Sequence, residues 1–285
     1  MAALQSVRAD ILVLGGIDYD HDQLALTALR ASIGGPDRYP HAFSRTPNAG
    51  VPTGLDLDGN DRLGEARDAQ GYGRFPGQGG LAVLSRWPVR LIADHSKVLW
   101  RDVPGSLLID ARGRVGDKAT GADVQRLSST VHWELQISPP GLTPLTLMVF
   151  HATPPVFDGP EDRNGRRNAD EVKFWTHRLN GSLGAPPKPP LVILGTFNLD
   201  PEAGQGRRQL MRDVLADPRL QDPTGLSGRA TAHWPDPGPG SMRVDYILPS
   251  SDLTVLGSDL LPLAPEVAAH SPIMVTIDLP RISPE

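Results

Sequence analysis

The chain has 285 residues, with 28 lysines and arginines against 33 aspartates and glutamates and a formal charge of −5. That balance excludes a uniformly basic surface for nucleic acid but leaves room for a local basic site. There is no cysteine, which removes disulfide frameworks, thiolate nucleophiles and cysteine–zinc centres together.

The opening "MAALQSVRADILVLGG" has too short an apolar run and too early an acid for a secretory signal, and no run is long enough to span a bilayer. A soluble chain with no membrane partner is expected, its oligomeric state and compartment left open. "ADILVLGGID" reads as the first strand, and "HDQLALTALRASIG" has the apolar spacing of a helix, with Asp18 and Asp20 placed to be solvated or to cap it. "GYGRFPGQGG" lacks the Lys-Ser/Thr of a phosphate-binding loop and reads as a glycine-rich turn. Strands follow at "GGLAVLSRWPV", "STVHWELQI" and "LTLMVFHAT", each rich in Val, Leu or Ile. "NADEVKFWTHRLNGSL" predicts a helix, "PPLVILGTFN" a strand, "GRRQLMRDVLADPRL" a helix, and "RVDYILPS" and "SPIMVTIDL" two more strands. With 30 glycines and 29 prolines the loops must be many. The expected architecture is a strand-rich α/β fold in one domain over residues 1–285, with two sheets packed together and helices outside.

The chemistry gathers at strand ends. One strand finishes at His151 and runs into "ATPPVFDGPEDRNGRRNADE"; "LVILGTFNLDP" turns into Asn198 and Asp200; Asp245 stands inside a short strand; His270 precedes the last one. An aspartate and a histidine in this setting suit a pair in which the carboxylate orients and charges the imidazole. Taken singly, each also has a structural reading, such as Asp245 bonding backbone or Arg243.

The order of the stretches "LGGID", "LSRWP", "FHATPP", "GTFN", "VDYILPS" and "AAHSP" resembles the endonuclease/exonuclease/phosphatase superfamily, which has the fold of pancreatic deoxyribonuclease. The resemblance covers nearly the whole chain. It implies two mainly antiparallel sheets flanked by helices, a four-layer sandwich, whose first family strand would lie upstream of Met1. It implies metal-assisted hydrolysis of a phosphate ester, with Mg²⁺ or Mn²⁺ as cofactor and a small phosphate ester or nucleic acid as partner. Position by position, His151 matches the strand-end histidine that contacts phosphate, Asn198 the asparagine of "GDFN", His270 the histidine of "SDH", and Asp245 its supporting carboxylate.

The departures weigh as much as the matches. Gly16 stands where the family has its metal-binding glutamate, Thr196 where it has the water-activating aspartate, and Ala269 where it has a second metal-binding aspartate. Mg²⁺ sites keep at least one or two carboxylates, and a threonine hydroxyl is no general base near neutral pH. Either the metal site has moved onto Asp18 and Asp200, or the centre is degenerate. After His151, the side chains of Arg163, Arg166 and Arg167 are candidates to grip phosphate oxygens, with Asn164, Asn168 and Glu171 orienting them at a helix N-terminus. The competing reading is an internal salt-bridge web with Glu161, Asp162 and Asp170. "DLDGNDRLGEARD" has the alternating oxygens of a calcium loop in Asp56, Asp58 and Asn60, with Leu63 at the apolar position and Asp68 one step late. Asp61 stands where glycine is wanted, so an acidic solvated turn is the alternative. Weak or absent turnover is expected, against a pseudoenzyme that keeps phosphate or nucleic-acid binding and a non-catalytic partner-binding protein. The acidic balance and sparse aromatics favour a small phosphate ester over a long duplex.

Overall fold

In strand β6 (Leu145–His151), Leu145, Leu147 and Val149 belong to one buried cluster, while Met148 and Phe150 belong to another. That two-residue alternation is what a strand with both faces covered requires. The computed structural model describes residues 7–261 and 268–282. In it, β6 is the middle of a five-stranded sheet in the order β10 (Asp245–Pro249), β7 (Leu191–Thr196), β6, β5 (His132–Ile137) and β4 (Val89–Asp94). Only β6 and β7 run parallel. A parallel pair needs a long crossover, and here it is the 17-residue helix α3 (Arg163–Leu179).

The second sheet is β1 (Ile11–Ile17), β3 (Gly80–Ser85) and β2 (His41–Ser44), antiparallel in that order. The pairs β11 (Thr254–Leu260) with β12 (Ile273–Asp278), and β8 (Ala232–Trp234) with β9 (Gly240–Met242), complete the strands. Three hydrophobic clusters define the layers. Leu81, Val83, Trp133, Leu135, Leu147 and Val149 fill the space between the sheets. Met148, Phe150, Ile193 and Tyr246 face Val172 and Trp175 of α3 and Met211 of α4 (Arg208–Leu215). Leu12, Leu14, Ala82 and Leu84 lie under Leu26 of α1 (Leu24–Ser32), with Ile33 and Tyr39 around the single turn α2 (Gly35–Arg38). Each fully buried Leu, Val or Phe contributes about 1.5–3 kcal/mol of transfer free energy. The four-layer sandwich expected from the sequence is the observed one.

All seven predicted strands and three predicted helices are present, with one shift that matters. The helix read from "NADEVKFW" begins at Arg163, so the three arginines and two asparagines are helical residues and not a rim loop. Gln23 holds the N-cap position of α1, and Asp20 reaches in from outside it, its oxygens accepting the Leu24 and Ala25 amides at 2.7 and 3.1 Å. No helix among the described residues is long and apolar enough to cross a membrane.

Candidate functional site

Register brings the site together. His151 lies opposite Thr196 across β6 and β7, and Thr196 lies opposite Asp245 across β7 and β10. The three form one row across adjacent strands, two residues beyond the row Val149, Leu194 and Ile247. Those lower residues belong to the inter-sheet core, so period-two geometry puts the upper row at the mouth of the same space. Gly15 of β1 faces it from the other sheet: a methyl group there would stand 3.9 Å from His151 Nδ1. Next to it β1 bulges at Gly16, whose φ of +75° is the left-handed region that favours glycine.

Asp245 is the hub. Its Oδ1 accepts the Thr196 hydroxyl at 2.6 Å. Its Oδ2 meets Nδ1 of His270 at 2.8 Å and accepts the Thr231 hydroxyl at 3.0 Å. His270 arrives from the loop before β12, held to the strand carrying β8 by His233 N–H donating to the Ala269 carbonyl and Ser271 N–H donating to the Thr231 carbonyl, each at 2.8 Å. Trp234 stands perpendicular to the His270 ring at 5.3 Å. On the other flank, Asn198 has φ of +52° just beyond β7. The Phe197 and Asn198 amides both donate to the Val244 carbonyl, and Asn198 Nδ2 donates to the Ala152 carbonyl at 2.8 Å, 3.5 Å from His151 Nε2.

The two histidines are shifted in opposite directions. Burial pushes His151 down to about 4, against the pull of Asp245 and with the push of His270. Burial also works against charge on His270, but the hydrogen bond and charge of Asp245 outweigh it and leave that imidazole raised. At neutral pH His151 is therefore a neutral ring, while the Asp245 carboxylate favours the protonated form of His270.

Several predicted residues have other work. Arg167 and Asn168 are buried within α3, which corrects their assignment to phosphate. Arg167 donates to the carbonyls of Leu127, Gln70, Arg126 and Ser128. Asn168 donates to those of Thr153 and Phe197, both at 2.8 Å. Glu171 accepts the Ser129 amide, the Ser129 hydroxyl and the Thr153 amide. Burial raises its pKa. Asn164 donates to the Val156 carbonyl and Arg166 to that of Glu161. Arg163 has two buried, unpartnered nitrogens, Nε and Nη2, in a setting where Glu161, Asp110, Asp158 and Asp58 compete with any anion. The expected arginine web is also absent as drawn: Asp162 pairs with Arg207, and Asp170 accepts from Trp100 and the Leu107 amide.

The relocated metal site does not assemble either. Asp200 spends Oδ1 on the Glu202 and Ala203 amides and Oδ2 on the Arg243 amide, and Asp18 accepts the Gly79 amide on the exposed end of β1. At the strand ends the sole carboxylate of the row is Asp245, already receiving three donors. This donor set does not fit Mg²⁺, which takes anionic oxygens in near-octahedral array. Among the described residues, the one group of three carboxylates or histidines close enough to share a cation is Asp56, Asp58 and Asp68, with ligand atoms within 4.8 Å of one another. Within it, Asp56 accepts the Gly59 and Asp61 amides and Asp68 those of Leu57 and Glu65, while Asn60 turns to Glu65. Three of the four expected loop ligands, Asp56, Asp58 and Asp68, are thus gathered, and Asn60 is the one turned aside.

Thr231 and Trp234 bear on the site but escape the sequence reading, because "RATAHW" carries no periodic or spacing signal; they matter only through the bridge that lays them beside His270.

Comparison with known proteins agrees with this fold. The model of the endonuclease/exonuclease/phosphatase family matches residues 1–275, and the chain belongs to that family. A family protein from Beutenbergia cavernae is similar in structure at 15% identity and a TM-score of 0.62, covering 98% of this chain and 65% of its own; the chain thus spans just under two thirds of that protein. A family protein from Leptotrichia buccalis matches at 14% identity and TM-score 0.55, over 97% of this chain and 91% of its own. The 3′ phosphatase NExo from Neisseria, solved with a product DNA hairpin, matches at 15% identity and TM-score 0.50, over 97% and 92%. No curated protein sequence matches the chain.

Proposed function

We propose that the chain binds a phosphate ester at the mouth between the sheets, between His151 and His270, and hydrolyses it weakly or not at all by the family's metal route. The observation that carries this is the row His151, Thr196 and Asp245, in which one carboxylate remains and both of its oxygens are engaged. Thr196 donates its hydroxyl hydrogen bond to Asp245 and has no basic group to activate water. The ester instead meets the Asp245-paired His270 ring, while the neutral His151 ring and the Asn198 amide contribute hydrogen bonds. The product DNA bound by the Neisseria phosphatase supports a phosphate-ester or nucleic-acid ligand. The acidic balance favours a small ester of the two.

The test has two parts on the same preparation. Turnover of bis(p-nitrophenyl) phosphate is measured with Mg²⁺, Mn²⁺, Ca²⁺ or EDTA beside His151→Ala, and inorganic phosphate is titrated against the histidine ring signals. Weak or absent turnover with phosphate-dependent shifts of His151 and His270 is the expected outcome. Robust Mg²⁺-dependent hydrolysis abolished in His151→Ala would sink the claim of impaired turnover, and ring signals indifferent to phosphate would sink the binding claim.

A further inference from the structure

Asp245 and His270 come from different elements, and neither strand β10 nor the loop before β12 fixes their contact alone. The segment entering β8 does. Thr231 is 1% exposed and its single oxygen is used three times: it donates to Asp245 Oδ2 at 3.0 Å and accepts the Val244 and Asp245 amides, each at 3.0 Å. Its own amide donates to the Met242 carbonyl, and its carbonyl accepts the Ser271 amide, one residue past His270. One residue thus touches the carboxylate, the backbone that carries it and the backbone that carries the imidazole.

We propose that Thr231 is a positioning residue that sets the geometry of the Asp245–His270 pair. The proposal rests on reading His270 as a group that faces phosphate. Geometry supplies the reason. A carboxylate held by Thr196 alone, on Oδ1, is free to turn about its Cβ–Cγ bond; the Thr231 hydroxyl on Oδ2 fixes the plane in which His270 Nδ1 finds a lone pair. The titratable group acting on His270 is Asp245 on β10, by hydrogen bond and by charge, and His270 in turn pushes His151 on β6 down. Trp234, three residues on from Thr231, backs the ring without titrating.

The experiment is ring-nitrogen NMR of the intact chain without any phosphate, following the His270 titration in wild type, Thr231→Val, Thr231→Ser and Asp245→Asn. Thr231→Val should lower the His270 midpoint by about half a pH unit or more toward that of free imidazole, and Asp245→Asn should lower it further. Thr231→Ser, which keeps the hydroxyl, should restore the wild-type midpoint. A folded Thr231→Val protein with an unchanged midpoint would overturn the proposal, as would a serine variant that behaves like valine. Should the valine variant fail to fold, wild type still decides: the Thr231 hydroxyl proton and the His270 Nδ1 proton should both exchange slowly and cross-relax, and their absence under conditions that protect other buried hydroxyls refutes the contact. Because no phosphate is present, this result stands or falls separately from ligand binding.

Discussion

Replacing His151 by asparagine should make the protein less sensitive to acid. The folded chain holds this ring down at about 4, chiefly by burial, against an ordinary value of 6.5. As pH falls below 6.5 the unfolded chain takes up a proton at residue 151 that the folded chain does not. Stability is therefore full above that value and is lost progressively down to about 4. The gap corresponds to about 3 kcal/mol by the time pH nears 4, a large part of a typical 5–15 kcal/mol total. His151→Asn cannot ionise, so its loss of stability between about pH 7.5 and about pH 4 should be smaller than wild type by about that amount. Urea unfolding at four or five pH values, with slopes checked for constancy, reads the difference directly. His132 is also pushed down, to about 3, but it is present in both proteins and cancels. Parallel stability curves for wild type and variant would show that His151 is already charged or solvated in the folded chain. The reading of His151 as the neutral ring of the site would then fail.

Thr196→Asp would set a second carboxylate against Asp245, where the threonine hydroxyl now donates at 2.6 Å; it should lower the melting temperature in EDTA and gain more from Mg²⁺ than wild type does, and equal Mg²⁺ responses in thermal melts would contradict this. Gly16→Ala should cost about 1 kcal/mol from backbone conformation alone, because φ is +75° and no atom lies within 4 Å of the added methyl; urea unfolding beside Gly16→Asn, which tolerates that region better, separates strain from packing. Arg178→Met should destabilise by about 3–5 kcal/mol by stranding Glu134, whose buried carboxylate takes Arg178 Nε at 2.7 Å and His95 Nε2 at 3.0 Å. A loss below about 1 kcal/mol in chemical denaturation would mean that His95 alone satisfies it.

The parts of this molecule that could be read from sequence are those whose signal is local. Apolar runs such as "LTLMVF" and "LVILG" declare strands buried on both faces. Strands β2, β4, β8, β9 and β11 went unread because they are short or alternate in exposure, as Val89–Asp94 does. His151, Asp245 and His270 were legible as strand-end groups in a familiar order, and the structure gathers them by register. The arginines after His151 misled because their meaning depends on phase. Once the helix starts at Arg163, residues 167, 168 and 171 fall on the face turned toward the protein, where composition alone suggested a surface. Thr231 was invisible for a related reason: its importance is a matter of spatial adjacency between segments far apart in the chain.

The buried polar face of α3 has a consequence for how this protein can change. Through Arg167, Asn168 and Glu171, one helix moors the segments around Gln70, Arg126–Ser129, Thr153 and Phe197. The segments after β6 and β7 that border the mouth share this mooring with the stretch leading into β5. Transplanting either segment from a relative would disconnect carbonyls and amides that the same three side chains hold elsewhere. Loops and helix are therefore coupled as one block, and a graft that carries α3 along should fold where a loop alone does not.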